Sequence, residues 1–456
     1  ITKFAKPGQT VNLVVEVKDD LRSGKQPGGK QCKDFFSRGC NYTRTTGIWQ
    51  TVWMEPVAPG ALKKVIATPD IDQKQLVIRP QFYNESMENT LTVKMFDGKK
   101  VVAQKTVNAC NQNIVVLPVK NVKLWSPESP FLYDLVYTVK DKNGKTIDEV
   151  KSYAGMRKVH TANGYFYLNN KPYFHNGLLD QGYWSDGMYT PPTDEAMIYD
   201  IQTMKDMGFN MLRKHIKIEP MRWYYHCDRL GMIVWQDMIN GGGLYKFSTI
   251  GIRPFLGNMM DDSNYKAFSR EDEAGRREYY VDSERMVKAL YNVVSLSVWV
   301  PFNEGWGQFD AAYAYEFYKK LDSTRIIDHA SGWHDQGCGD LRSLHIYFTP
   351  IKVPKDSRPV VLSEFGGLSL QAKGHMYNKE KFFGYRRFYE QDKFEKAYKK
   401  LFEKRIIANI PKGLAASVYT EVSDVEDECN GLLSYDRKVI KIDMELIKEI
   451  NSRVKL

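Results

Sequence analysis

The sequence predicts a multidomain protein, a (β/α)8 TIM barrel preceded by an immunoglobulin-like β-sandwich and by the tail of a further β-sandwich. Three observations predict it. Short strand-like runs punctuated by turn residues fill the chain up to Gly155; the rhythm then changes to strand, loop and helix; and eight strand-like apolar runs follow before Leu456.

The expected segments are 1–57, 58–155 and 156–456. In the first, 11–17 (VNLVVEV) partly alternates, 25–30 (KQPGGK) carries turn chemistry, and 48–55 (IWQTVWME) is strand-like again. So few strands make a marginal domain, and the chain opens on Ile1 rather than Met, so this segment is expected to be the end of a sandwich cut off upstream. In the second, Leu91, Val93 and Met95 alternate with Thr92, Lys94 and Phe96, and Asp97-Gly98 offers a tight hairpin before 101–107. Strand-like runs at 113–119 and 131–139, with Asn143-Gly144 as another turn, complete an immunoglobulin-like pattern.

In the third segment the barrel strands are expected at 173–178, 209–213, 232–236, 293–302, 325–328, 344–347, 359–363 and 414–419. Thr193 or Asp194 caps a helix whose Met197, Ile201 and Met204 share one face, and Gly208 stops it. Pro220 opens a second helix that ends near Gly231.

Composition narrows the partners. The net charge of +10 is spread along the chain and interleaved with acidic residues, which argues against nucleic acid and leaves acidic glycans open. No apolar run is long enough to span a bilayer. The six cysteines form no CxxC pair and no His cluster has ligand spacing, so neither a metal nor a cofactor is expected. Cys32 and Cys40 either bridge a loop or stay free thiols. The 9 Trp, 28 Tyr and 22 Phe suit sugar-binding surfaces as well as a core.

Two stretches carry chemistry. In 298–308 (VWVPFNEGWGQ) an apolar strand ends in Asn303-Glu304 and a Gly/Trp loop; in 360–367 (VVLSEFGG) another ends in Glu364 and glycines. At the C-terminal ends of strands four and seven these carboxylates would face each other across a barrel mouth. A lone Glu there could equally hold a salt bridge or cap a helix. A pair is what glycoside hydrolysis requires: one protonated acid for the leaving oxygen, one carboxylate for the anomeric carbon. An ionised Glu364 would help keep Glu304 protonated.

With these motifs the chain resembles glycoside hydrolase family 2. Residues 46–57 (TGIWQTVWMEPV) resemble the closing strand of that family's sugar-binding jelly roll, 124–133 (LWSPESPFLY) and 153–159 (YAGMRKV) its immunoglobulin-like domain and the crossing into the barrel, 166–177 (FYLNNKPYFHNG) its first barrel strand, and 424–437 (DVEDECNGLLSYDR) its barrel ending. The resemblance implies Glu304 as general acid/base, Glu364 as nucleophile, and Asn303 as the residue that hydrogen-bonds the sugar 2-hydroxyl.

Weaker candidates follow. Arg213 and His215 resemble the Arg and His at the family's barrel mouth, where Arg213 would orient Glu364; a structural salt bridge and a satisfied core histidine are the alternatives. Asp237 binds a sugar hydroxyl or caps a loop. Tyr347 matches a Tyr that hydrogen-bonds the nucleophile, whereas His345 is read as structural. Asp180 and Gln181 follow strand one, Trp306 and Trp333 stack on a pyranose or pack, and Glu421 and Asp424 contact substrate or are solvated or paired with an Arg.

The resemblance implies a retaining exo-β-glycosidase on oligosaccharide or polysaccharide, with β-galactoside first and β-glucuronide second. It also implies a periplasmic or secreted location, and a homo-oligomer stays open. A carbohydrate-binding pseudoenzyme and a non-enzymatic β-sandwich scaffold are the rival classes.

Overall fold

The computed structural model describes residues 4–6 and 8–456. Seven strands form the sandwich, in two sheets. One orders Leu62–Asp70, Gln75–Phe82 and Val115–Pro118; the other orders Lys100–Ala109, Ser86–Asp97, Tyr133–Lys140 and Thr146–Ala154. Leu91, Val93 and Met95 point inward against Leu76, Ile78, Leu135 and Tyr137, as the alternation predicts.

All eight expected barrel strands form. In chain order they are His175–Asp180, Met211–Lys214, Ile233–Asp237, Leu296–Val300, Ile326–Ile327, Arg342–Ile346, Val360–Gly366 and Leu414–Thr420. They run parallel in one sheet curled into a barrel, its ladder passing from strand five through four, three, two, one, eight and seven to strand six. Helices Asp194–Asp206, Met221–Leu230, Glu273–Leu290, Ala311–Leu321, Gln391–Leu401 and Met444–Ser452 cover the outside. Thr193 caps the first through Ala196 N, and Gly231 ends the second in the left-handed region, as expected. Strands five and six are followed by loops without an α-helix, which leaves that side of the mouth to irregular chain.

The strand period sorts residues between two cores. Leu178, Leu212, Val234, Trp299 and Leu362 pack outward against the helices. Leu179, Met211, Ile233, Trp235, Val298 and Val361 fill the interior. Arg213 lies two residues beyond Met211 and Asp237 two beyond Trp235, so the same parity sends both into the barrel at its C-terminal end. Strand seven slips in register opposite the Leu344–His345 step, so that His345 pairs with Glu364 rather than Ser363. Such a bulge re-aims side chains, here toward the mouth.

Two expectations are corrected. The runs 11–17 and 48–55 form no strand, because among the described residues no strand lies alongside to pair with them; Leu13, Val14, Trp53 and Met54 are left exposed. Residues 166–177 are not one barrel strand. Asn169 and Asn170 both have positive φ (53° and 64°) and turn the chain back, so Tyr165–Leu168 pairs with Val159–Ala162 and Lys171–Pro172 in a hairpin of its own. Phe166 stacks on His175 at 4.3 Å beneath Trp235, which closes the N-terminal end of the barrel.

Sandwich and barrel are joined by polar ties in a buried seam. Asp228 accepts from Val294 N (3.1 Å), Ser295 N (2.7 Å) and Tyr153 OH (2.9 Å), and its own carbonyl accepts from Trp125 Nε1 (2.7 Å). Asp228→Ala strands two buried backbone donors, at about 1–3 kcal/mol each. A thermal midpoint lower by about 2–6 °C is expected, measured by calorimetry; an unchanged midpoint would remove Asp228 from the ties that hold the fold.

Candidate active site

The mouth of the barrel is organised by Arg213, whose guanidinium is fully buried. Nε and one terminal nitrogen donate to Asp237 Oδ1 (2.9 Å) and Oδ2 (3.0 Å); that same terminal nitrogen donates to Asn303 Oδ1 (2.8 Å). The other donates to Ser363 O (3.1 Å) and Glu364 Oε1 (3.2 Å). Burial pulls the guanidinium down, but the Asp237 and Glu364 carboxylates more than offset it and hold the charge.

Glu364 therefore sits as an acceptor. Tyr347 donates its hydroxyl to Oε2 at 2.5 Å, and His215 Nε2 stands 3.5 Å from Oε1. Tyr347 is locked in turn by a face-to-face stack on Tyr385, centroids 3.8 Å apart. His215 Nδ1 lies 2.9 Å from Gln181 Oε1, while Gln181 Nε2 donates to Glu421 Oε2 at 2.7 Å. That arrangement places the His215 proton on Nδ1 and the lone pair on Nε2. Burial, aided by the Lys30 and Arg213 charges, keeps the ring neutral.

Glu304 occupies the opposite environment. It adopts φ 52° between Asn303, which bridges to Ser331, and Gly305. A non-glycine residue in that region stores about 1 kcal/mol or more of strain. Close packing fixes the loop: a Cβ on Gly307 would lie 2.5 Å from Gly241 O. Burial pushes the Glu304 carboxyl up to about 7, against the pull of the Lys30 and Arg213 charges.

Glu304 Oε1 lies 2.8 Å from His345 Nδ1. On the far side of that ring Nε2 lies 3.1 Å from Ser331 Oγ, which donates to Ser363 Oγ (3.0 Å), and 3.5 Å from a terminal nitrogen of Arg213. Burial lowers His345 to about 4, which keeps it neutral.

Glu304, His345 and Glu364 each offer a ligand atom within 4.8 Å of the others, the one such trio among the described residues. The Arg213 guanidinium touching Glu364 opposes a cation there. The same spacing leaves room for a reacting carbon between the two carboxylates.

The expected residues converge unevenly. Glu304, Glu364, Asn303, Arg213, His215 and Tyr347 meet in one cluster. Asn303 Nδ2 and His215 Nε2 are buried there without a partner, beside Glu364. Asp237 neither faces substrate nor caps a loop, since both its oxygens serve Arg213. Asp180 is spent on Lys214 (2.8 Å) and Gly182 N (2.9 Å), and Gln181 reaches the site in its place. Asp424 is neither solvated nor paired with Arg but bonds Lys441 at 2.5 Å; Glu421 is fully buried. Trp306 and Trp333 line the mouth, the first beneath Lys30 (5.0 Å) and the second 6.2 Å from His345. All six cysteines, Cys32 and Cys40 included, are free thiols.

Two residues escape sequence reasoning. His345 shares a strand face with Tyr347, two positions on, and that parity could have promoted it. Lys30 has no such signal. It arrives from the irregular N-terminal segment, held where Gly29 (φ 57°) would meet Ile216 O at 3.0 Å with any Cβ added and where Gly29 N donates to Asn240 O (3.0 Å).

Comparison with known proteins fits this geometry. The model "Glycosyl hydrolases family 2" matches residues 65–157 and "Glycosyl hydrolases family 2, TIM barrel domain" matches 159–456. The chain belongs to glycosyl hydrolase family 2. It is 29% identical over 287 residues to a β-galactosidase of Leuconostoc mesenteroides, covering 60% of this chain and 26% of that protein. A β-galactosidase of Lactococcus lactis is 26% identical over 293 residues, covering 63% and 27%. The chain thus spans about a quarter of the length of these curated relatives.

Among solved structures, a β-D-glucuronidase of Dictyoglomus thermophilum has the same fold (TM-score 0.66, 16% identity), covering 86% of this chain and 69% of that one. So does a β-galacturonidase of Eisenbergiella tayi bound to galacturonate (TM-score 0.63, 16% identity), covering 87% and 73%. Among the described residues no helix is long and apolar enough to cross a membrane.

The raised Glu304 carboxyl has a signed consequence for stability. Folding lifts it from an ordinary 4.5 to about 7, so its contribution is full below about 4.5 and is lost as pH rises through about 7. Glutamine does not titrate. Relative to the parent, Glu304→Gln is expected to gain up to about 3 kcal/mol across that window and nothing further above it. Thermal midpoints at pH 5 and pH 8 check this; an equal difference at both would mean that Glu304 titrates normally.

Proposed function

We propose that this protein is a retaining exo-β-glycosidase in which Glu364 is the nucleophile and Glu304 the general acid/base. The observation that carries the reading is the pair itself: two carboxylates from strands four and seven, with oxygens within 4.8 Å of each other and opposite surroundings. Retaining enzymes hold their carboxyls about 5–5.5 Å apart, while inverting ones leave a wider gap for water.

The roles follow from those surroundings. Glu364 receives hydrogen bonds from Arg213 and Tyr347, which aim one oxygen at the anomeric carbon. Glu304, raised to about 7, delivers its proton to the glycosidic oxygen as the bond breaks. The neutral His345 beside it holds the carboxyl in place. In the second step Glu304, now ionised, takes a proton from water, which attacks the glycosyl-enzyme and frees Glu364. The unpartnered Asn303 Nδ2 is oriented by the Arg213 bond to Oδ1, so it donates to the sugar's 2-hydroxyl beside the nucleophile.

The relatives' activity puts β-galactosides first among substrates. A β-uronide is the second reading, favoured by the Lys30 ammonium that lies over the Trp306 ring at the mouth, 5.0 Å from its centroid.

A panel of aryl β-glycosides tests the proposal. One glycoside is expected to turn over with the β-anomer released first, as followed by proton NMR. Glu304→Gln should lower kcat/KM by about 10²–10⁴-fold, and Glu364→Gln should abolish it. The parent's rate should fall as pH rises through about 7, where Glu304 loses its proton. Release of the inverted anomer, or full activity in either variant, would refute the assignment.

A further inference from the structure

We propose that Tyr385 is a positioning residue for the nucleophile: its ring, stacked on Tyr347, holds the Tyr347 hydroxyl on Glu364 and so fixes the direction in which that carboxylate faces. The inference rests on the glycosidase reading and adds to it a residue that acts through another.

The carboxylate needs such support. A Glu side chain ends in a torsion without a sharp preference, so the plane of its two oxygens is set by the groups that bond them. Arg213 and His215 stand at Oε1, 3.2 and 3.5 Å away. Tyr347 is the one hydrogen-bond donor to Oε2 among the described residues, at 2.5 Å. Without it the carboxylate can pivot about the Arg213 contact.

Tyr347 does not hold its own ring. It follows strand six, and its carbonyl and that of Phe348 each accept from the Arg405 guanidinium at 3.1 Å. Those bonds fix the main chain and leave the ring free to swing. Tyr385 closes off the swing with a parallel ring, the planes 10° and the centroids 3.8 Å apart. Paired aromatic rings settle more often at about 4.5–7 Å, offset or edge to face. This stack is therefore imposed by its surroundings.

Those surroundings begin on the nucleophile's own strand. Strand seven ends at Gly366, Gly367 O accepts from Tyr385 N (3.1 Å), and Leu368–Leu370 then pairs in parallel with Arg386–Phe388. Gly367 has φ 60°, and a Cβ on it would lie 2.2 Å from the Tyr385 ring, so glycine is what lets that ring lie flat there. Phe348 and Phe383 pack against Tyr385 edge to face at 5.7 and 5.6 Å. Phe383 is tied in turn to the loop after strand eight, its N donating to Asp427 O (2.5 Å) and its carbonyl accepting from Cys429 N (3.0 Å). Glu364, Tyr347, Tyr385 and Gly367 thus close a circuit that starts and ends on one stretch of chain. A ring that only filled space would need no flat neighbour, and any apolar side chain of similar bulk would replace it.

That difference supplies the test. Tyr385→Leu keeps apolar bulk and removes the flat face; Tyr385→Phe keeps the face and removes the hydroxyl. With an aryl β-glycoside that the parent turns over, Tyr385→Leu is expected to lower kcat about 10–100-fold and to leave KM within about threefold, because a nucleophile misplaced by about 1 Å costs on that order. Tyr385→Phe should stay within about threefold of the parent. Formation of the glycosyl-enzyme from a 2-fluoro aryl glycoside, followed by mass spectrometry, should slow in the same ratio as kcat. In Tyr347→Phe the hydroxyl is already gone, so adding Tyr385→Leu should cost less than about a further twofold. Full kcat in Tyr385→Leu, equal losses in the Leu and Phe variants, or losses that multiply in the double variant overturn the proposal.

Crystal structures of the parent and the two Tyr385 variants separate this inference from the one beneath it. If no aryl glycoside turns over or labels the parent, the glycosidase reading fails and the clamp is judged on position alone. A Tyr347 hydroxyl moved off Glu364 Oε2 in Tyr385→Leu, and in place in Tyr385→Phe, upholds it; a hydroxyl still on Oε2 in Tyr385→Leu overturns it.

Discussion

Five N–H donors on one fully buried guanidinium constrain everything at the mouth of this barrel. Arg213, on strand two, satisfies them with Asp237, Asn303, Ser363 O and Glu364, residues from strands three and seven and from the loop after strand four. A guanidinium in such a place is tolerable only if a carboxylate meets it with good geometry. The bidentate contact from Asp237 does so, and it leaves the remaining donors to orient Asn303 and Glu364 at the mouth. Asp237 therefore acts through Arg213. Lysine could not replace it, because a single ammonium lacks the planar fork that reaches four partners at once.

With Arg213 in place the two glutamates diverge. Glu364 sits in a ring of donors, while Glu304 meets a neutral histidine and little else that could hold a negative charge. Burial then does the rest, because desolvation penalises a carboxylate most where no donor answers it. The backbone enforces the same split. Glu364 is turned inward by a bulge in strand seven, and Glu304 by a left-handed residue between Asn303 and Gly305. Glu364 does not lie where plain strand parity would send it, and both irregularities fall beside the paired carboxylates.

That pattern decides what the sequence could reveal. The eight barrel strands were legible because strands buried on both faces are near-continuous apolar runs, and helix ends were legible where Thr193, Pro220 and Gly231 punctuate them. Glu304 and Glu364 stand out as carboxylates closing such runs. Partnerships across the barrel were not legible. Whether Asp237 serves a sugar or Arg213, or Asp180 a substrate or Lys214, depends on distances between strands that no local pattern carries. At 11–17 and 48–55 the alternation is present without a neighbouring strand among the described residues, and an alternating run without a ladder is not a strand.

Lys30 extends this point from the barrel to the chain before it. The segment that carries it lacks regular structure, yet it is closed on itself by Cys32 N to Tyr42 O (2.7 Å) and Tyr42 N to Lys30 O (2.8 Å), and anchored by Tyr42 OH on Glu428 (2.6 Å). The last of these bonds ties Tyr42 to a residue nearly four hundred positions away, in the loop that follows strand eight. The barrel supplies the carboxylates and the guanidinium that any family member could use on a β-glycoside. The Lys30 ammonium over Trp306 comes from outside it. The mouth is thus lined both by the barrel and by the segment before it, which lays the Lys30 ammonium over the Trp306 ring.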